Sequence, residues 1–166
     1  MTASSSVFRI DEPNRDDMPL LVGLIEQLAA YEELADRVTA DSRRLAYWLF
    51  DEKKAEARLF YLADQAIGFV LFFTNFSTFL AQPGLYIEDL YLKPAYRRQG
   101  WGTRVLAYLA DLALKRGYGR LELSCLHANQ SAVDFYRHSG ALALSDWGLY
   151  RYDLPAMALL AEQADL

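Results

Sequence analysis

The sequence predicts an α/β fold with a mixed central sheet of about seven strands flanked by about four to five helices. Three observations carry this. The apolar runs Arg58–Ala63, Ala66–Phe76 and Leu85–Leu92 follow one another with only turns or a short loop between them, the pattern of antiparallel neighbours. Leu85–Leu92, a glycine-punctuated turn, the helical run Thr103–Arg116 and Leu121–Leu126 then read as strand, turn, helix and strand, a crossover that sets two strands parallel. Amphipathic stripes at helical spacing stand on both sides of this block. At 166 residues and 53% hydrophobic, with no linker-like stretch, the chain suits one domain over 1–166, its core at 7–153 and a helical tail at 154–166.

Val7–Ile10 is a short apolar strand. Asp11–Asp17 follows it, and its carboxylates, Asn14 and the nearby Pro19 are helix-start signals. The helix they start runs to about Tyr31, with Leu21, Leu24, Ile25 and Leu28 on one stripe. A second helix, about Asp41–Phe50, follows a Thr39 cap, and the charged Asp51–Glu56 reads as a surface loop. Asp64-Gln65 turns the hairpin between Arg58–Ala63 and Ala66–Phe76, while Ser77–Gly84 is a loop and Pro94 ends Leu85–Leu92. On Thr103–Arg116, Val105, Leu109, Leu112 and Ala113 share a face that packs on the sheet, and Gly117 and Gly119 end the helix. Asn129–Gly140 is a short helix with Asn129 as N-cap. Leu142–Asp146 and Trp147–Asp153 read as two further strands, and Leu154–Ala164 as a terminal helix.

A net charge of −5 argues against a general nucleic-acid surface, which needs a basic face. No stretch approaches the roughly 18 apolar residues of a membrane span, and Thr2–Ser6 lacks the basic and apolar regions of a signal peptide. A soluble, cytoplasmic protein is expected. The single Cys125 has no disulfide partner within the chain, and His127 and His138 lack zinc-site spacing, so no metal is implied.

Chemistry concentrates in two places. Arg97-Arg98-Gln99-Gly100-Trp101-Gly102 lies between a strand and a helix N-terminus, where two guanidiniums, successive backbone N–H groups and the positive end of the helix dipole suit a pyrophosphate. Glu88-Asp89 sits inside an otherwise apolar strand. Two adjacent carboxylates are costly to bury, and regular alternation sends only one outward. Either the strand is distorted there or the pair opens on a wet cleft.

In order along the chain, Tyr86-Ile87-Glu88-Asp89-Leu90-Tyr91-Leu92, Arg97–Gly102 and Asn129-Gln130-Ser131-Ala132-Val133-Asp134-Phe135-Tyr136-Arg137 resemble the GNAT superfamily of acyl-CoA N-acyltransferases, and within it the diamine (spermidine/spermine) acetyltransferase branch. The resemblance runs from Phe8 to about Asp153 and includes Leu28-Ala29-Ala30-Tyr31-Glu32. It implies the GNAT fold and transfer of acetyl from acetyl-CoA to the primary amine of a small cationic molecule in a ternary complex. It also implies the site. Leu90, Tyr91 and Leu92 would hold the pantetheine by backbone bonds, and the cradle from Arg97 through Arg98, Gln99, Gly100, Trp101 and Gly102 to Thr103 the pyrophosphate. Asn129, Ser131 and Ala132 would touch the pantetheine arm, with Tyr136 as general acid. Glu88 would orient the amine or accept its proton through water, and Tyr31, Glu32, Asp89 and Asp146 complete the amine side.

The residue types suit that chemistry. An alkyl ammonium with a pKa near 10.4 is only about 1 part in 2,500 neutral at pH 7, a cost of roughly 5 kcal/mol for presenting its lone pair. A carboxylate reached through water shares that cost, and a phenol supplies the proton that a leaving thiolate needs. The chain departs from the polyamine enzymes at Asn75-Phe76-Ser77-Thr78-Phe79, where they carry an Asp-Pro-Trp-like stretch and where it is closer to thialysine-acetylating relatives. It departs again at Ser145-Asp146-Trp147, which holds fewer carboxylates than theirs. The first departure speaks against polyamine specificity, and the fewer carboxylates of the second suggest a shorter cation or an amino-acid-like amine. The resemblance further implies a homodimer through the aromatic-rich Trp147–Tyr152. Acetylation of a protein or peptide, or CoA sensing without catalysis, are the alternative readings.

Overall fold

Among the described residues, five strands form one sheet in chain order. β1 (Phe8–Asp11), β2 (Glu56–Leu62), β3 (Gln65–Ser77) and β4 (Gln82–Leu92) are antiparallel neighbours, and β5 (Leu121–Leu123) joins β4 in parallel. The computed structural model describes residues 7–164, so Thr2–Ser6 and the end of the expected tail lie outside the described residues. By contacts the chain divides into two compact units, Met1–Asn129 and Gln130–Leu166.

The sheet of the first unit is covered on both faces. α1 (Met18–Tyr31) packs Met18, Leu21 and Leu24 against Leu59, Phe69 and Tyr91. α3 (Trp101–Lys115) packs Val105, Leu109 and Ala113, four residues apart, against Phe60, Val70, Phe72, Leu85 and Ile87 on the opposite face. Fully burying a Leu, Val or Phe side chain contributes about 1.5–3 kcal/mol, so these two stripes hold the layers together. Gly68 lets β3 and β4 approach, since a Cβ there would lie 2.1 Å from the Tyr91 carbonyl oxygen. One charge is buried in this frame. Arg58 of β2, 5% exposed, donates from Nε to the Tyr108 hydroxyl of α3 at 2.9 Å and from Nη1 to the Ala57 carbonyl at 2.7 Å. It pairs with Glu12 at 2.9 Å and Glu56 at 3.3 Å. Arg116 grips both oxygens of Glu56, at 2.5 and 2.8 Å, and that bond holds the Glu56 carboxyl below its usual range.

Four expectations are corrected. Ser77–Gly84 is not a loop: β3 runs to Ser77, β4 starts at Gln82, and only Thr78–Ala81 turn between them. The Ser, Thr, Pro and Gly content suggested a loop, but ladder bonds are made by the backbone, which here pairs Ser77 with Gln82 and Asn75 with Gly84. α2 (Ser42–Ala46) is capped by Asp41, whose Oδ1 accepts from the Arg44 amide at 2.9 Å, rather than by Thr39, and continues as a π-helical turn, Tyr47–Asp51. β5 is shorter than Leu121–Leu126. The expected seven strands are five among the described residues, because Leu142–Asp146 and Trp147–Asp153 form no ladder. Their Leu, Trp and Tyr content suits a strand, but a strand exists only with a hydrogen-bonding neighbour, and none of the described strands pairs with them. The second unit consists of α4 (Gln130–His138), this irregular segment with a turn at Ser145-Asp146, and α5 (Leu154–Ala161), which Asp153 caps through the Ala156 amide at 2.9 Å.

Candidate active site

β4 carries the chemistry because it breaks its own regularity. Asp89 pairs with Leu71 and Ile87 with Phe72, so Glu88 is an extra, unpaired residue: a bulge. Before it, the odd positions Leu85 and Ile87 face α3; after it, the even positions Leu90 and Leu92 do, and Tyr91 faces α1. The bulge resolves the difficulty of the adjacent carboxylates. Glu88 stands exposed, and Asp89 lies half-buried on the face that Tyr91 and α1 share. Burial, with Glu88 and Glu32 close enough to repel its charge, raises the Asp89 carboxyl to about 6. Glu32, just past the end of α1, is itself raised by burial. Its charge also reaches Cys125, whose thiol burial pushes up. Glu32, Glu88 and Asp89 therefore form one electronegative neighbourhood that favours a cation.

The same strand opens on its other edge. Pairing with β5 stops at Ile87–Leu123, whereas pairing with β3 continues to Leu92. Glu88 to Leu92 thus present backbone groups that β5 leaves unpaired, facing the gap where the two parallel strands part.

Where β4 ends, the chain turns through Pro94–Tyr96 into the cradle. Arg98 and Gly100 adopt positive φ, 60° and 84°. Gly100 is the N-cap of α3, and no side chain caps that end, so the first N–H groups of the helix stay open. Open space surrounds the Cβ position of Gly100; its glycine answers to the left-handed backbone. Gln99 ties the loop to the Ala95 carbonyl at 3.0 Å. α3 starts at Trp101, two residues earlier than expected, and the indole stacks on Phe8 of β1 with centroids 4.8 Å apart. The two arginines behave differently. Arg98 is exposed and has no hydrogen-bond or ion-pair partner among the described residues. The Arg97 guanidinium donates from Nε to the Leu92 carbonyl at 2.8 Å and lies over the ring of Tyr31, 4.1 Å from its centroid.

Of the expected site residues, Tyr31, Glu32, Glu88 to Leu92 and Arg97 to Thr103 stand in the first unit, around the end of β4. Asn129 ends that unit. Ser131, Ala132 and Tyr136 stand in the second, on α4, with Ala132 and Tyr136 one turn apart; Asp146 lies in the exposed turn that follows. The Trp101–Phe8 stack escaped sequence reasoning, because 93 residues separate the rings and no local pattern links them. The parts fit an acyl-CoA. An open helix terminus with a free guanidinium suits a pyrophosphate, and an unpaired strand edge suits the amides of a pantetheine arm. Among the described residues no cluster of His, Cys, Asp or Glu could hold a metal, and no helix is long and apolar enough to cross a membrane.

The chain is similar to known proteins over most of its length. The pattern of the Acetyltransferase (GNAT) family matches residues 25–141. A thialysine N-epsilon-acetyltransferase of Bos taurus is 31% identical over 164 residues, spanning 92% of this chain and 96% of that protein. An L-ornithine N5-acetyltransferase of Arabidopsis thaliana is 44% identical over 84 residues, which is 51% of this chain and only 37% of that protein. Among solved structures, an integron cassette protein from the mobile metagenome of V. cholerae superposes with a TM-score of 0.78 at 23% identity, covering 94% of this chain and 98% of that one.

Proposed function

The chain belongs to the acetyltransferase (GNAT) family, and on that premise we propose that it acetylates the primary amine of a small cationic molecule of the diamine, polyamine or lysine-like class. The observation that carries the proposal is the end of β4, where an acidic bulge, an unpaired strand edge and a phosphate-type cradle follow one another within sixteen residues, 88–103. The names of the thialysine and ornithine relatives support an amino-acid-like amine.

Acetyl-CoA supplies the activated acetyl group as a thioester. The N–H groups of Gly100 to Thr103 and the Arg98 guanidinium bind pyrophosphate, and the free edge at Leu90, Tyr91 and Leu92 takes the pantetheine amides. Glu32, Glu88 and Asp89 hold the ammonium electrostatically, and Glu88, the exposed one, accepts the amine proton through water or orients the amine. Asn129, Ser131 and Ala132 touch the pantetheine arm, and Tyr136 gives its hydroxyl proton to the leaving thiolate. Asp146 adds a carboxylate for the distal end of the amine. The chain acts as one domain over 1–166, in the cytoplasm, as a homodimer. The exposure of Trp147 (76%) and Tyr150 (90%) supports the last point, since aromatic residues are enriched at interfaces.

The test is a thiol-release assay over diamines, polyamines, lysine analogues and peptides, with wild type and Tyr136→Phe. Wild type turns over a small amine faster than any peptide. Tyr136→Phe lowers kcat by about 10²–10³, with acetyl-CoA affinity nearly unchanged, because the lost proton transfer belongs to the transition state. Activity on peptides alone would make it a protein acetyltransferase. Acetyl-CoA binding without turnover would make it a sensor.

A further inference from the structure

Arg97 and Arg98 are neighbours in the sequence with opposite settings. The backbone passes from extended at Arg97 (φ −75°, ψ 161°) to left-handed at Arg98 (φ 60°), so the two side chains leave the loop in different directions. Arg98 is exposed and without a partner among the described residues. Arg97 is half-buried and committed: Nε is bonded to the carbonyl that ends β4, and the guanidinium lies 4.1 Å from the centroid of Tyr31 and 5.6 Å from that of Tyr91. Tyr31 is the last residue of α1 and 43% exposed. Arg97 is the only cation against its ring among the described residues. The residue after Tyr31 is Glu32, whose charge is felt at Asp89 on β4. A guanidinium stacked on a ring is held in plane and direction. This one joins the end of the cofactor strand to the end of α1.

We propose that Arg97 is a positioning residue for the amine, clamping Tyr31 so that the end of α1 presents Glu32 beside the Glu88-Asp89 bulge, and that Arg98 alone is the guanidinium serving the pyrophosphate. This rests on the reading of the site as an acetyl-CoA and amine site given above. It divides the arginine pair between the two substrates.

The experiment separates the two duties. Acetyl-CoA affinity is measured by calorimetry without amine, and amine KM and kcat are measured with the best amine of the panel, for Arg97→Ala, Arg98→Ala, Tyr31→Ala, Tyr31→Phe and the Tyr31→Ala/Arg97→Ala double variant. Arg98→Ala weakens acetyl-CoA about tenfold, whereas Arg97→Ala leaves it within about twofold and raises amine KM about tenfold with kcat nearly held. The double variant is no worse than the worse single, because both remove one contact. Tyr31→Phe, which keeps the ring face against Arg97, raises amine KM less than Tyr31→Ala does. Should Arg97→Ala fail to fold, Arg97→Lys, which keeps the charge but not the planar fork, shows the same split at smaller size. Equal loss of acetyl-CoA affinity in Arg97→Ala and Arg98→Ala overturns the inference, as does a double variant whose KM losses multiply. A wild type that binds acetyl-CoA but turns over no amine overturns the proposed substrate class and the amine half of the inference with it, while the titration still decides the phosphate half.

Discussion

Residues 7–129 and 130–164 are similarly rich in Leu, Trp, Tyr and Phe, yet only the first stretch buries them. In the first unit every strand has a neighbour and both faces of the sheet carry a helix, so Phe60, Phe69, Phe72, Leu85 and Leu109 are inaccessible to solvent or nearly so. In the second, no described residue is buried. Leu142, Leu144, Trp147, Leu149, Tyr150 and Leu154 all face solvent. Hydrophobicity alone does not make a core. Burial follows when backbone groups first find partners, because a side chain packs only on an element that already exists.

The contrast is broken most severely by attacking the first unit at its one buried charge. Arg58→Met keeps the stem but removes the bonds to the Tyr108 hydroxyl and the Ala57 carbonyl, and lowers stability by about 3 kcal/mol in denaturant melts, the upper end for losing charge-assisted hydrogen bonds at a buried group. A loss below about 1 kcal/mol would mean that Glu56 and Arg116 hold the network without Arg58.

The next effect belongs to the second unit. If its exposed aromatics form the proposed dimer surface, Trp147→Ser raises the dimer dissociation constant about thirtyfold, the weight of one aromatic hot spot, and sedimentation shows the monomer at concentrations where wild type is dimeric. A wild type monomeric at every concentration removes the dimer.

The smallest effect sharpens the contrast by finding a place where the packed unit works against itself. The Asp89 carboxyl, raised to about 6, holds its proton more tightly folded than unfolded, where an aspartate titrates near 3.9. Its contribution to stability is therefore fully present below about pH 4, falls as pH rises through 6, and is level above. Asp89→Asn removes that slope, so the stability of the variant relative to wild type increases by about 1–2 kcal/mol between pH 4 and 7 in parallel melts. No change in the difference would place Asp89 in water.

Much of this was legible in the residues. The hairpin, the α3 crossover, the stripe Val105, Leu109 and Ala113, and the conflict posed by Glu88-Asp89 all depend on neighbours within a few positions, where periodicity and burial cost speak directly. The Ser77–Gly84 loop failed because composition reports side chains whereas the ladder is made of backbone. The last two strands failed because no sequence pattern says whether a strand will find a partner. The divergence of Arg97 from Arg98 was invisible for another reason. It depends on one left-handed residue and on Tyr31, 66 positions away.

The bulge in β4 has a consequence for what can change by inheritance. Glu88 shifts the odd-even frame of the strand, so Leu85 and Ile87 on one side of it and Leu90 and Leu92 on the other reach the same face. A substitution at 88 alters one side chain. A deletion there would exchange the faces of everything after it, turning Tyr91 toward α3 and Leu90 and Leu92 toward α1. Between Leu85 and Leu92, a change of letter is felt at one position, whereas a change of length is felt by the whole remainder of the strand.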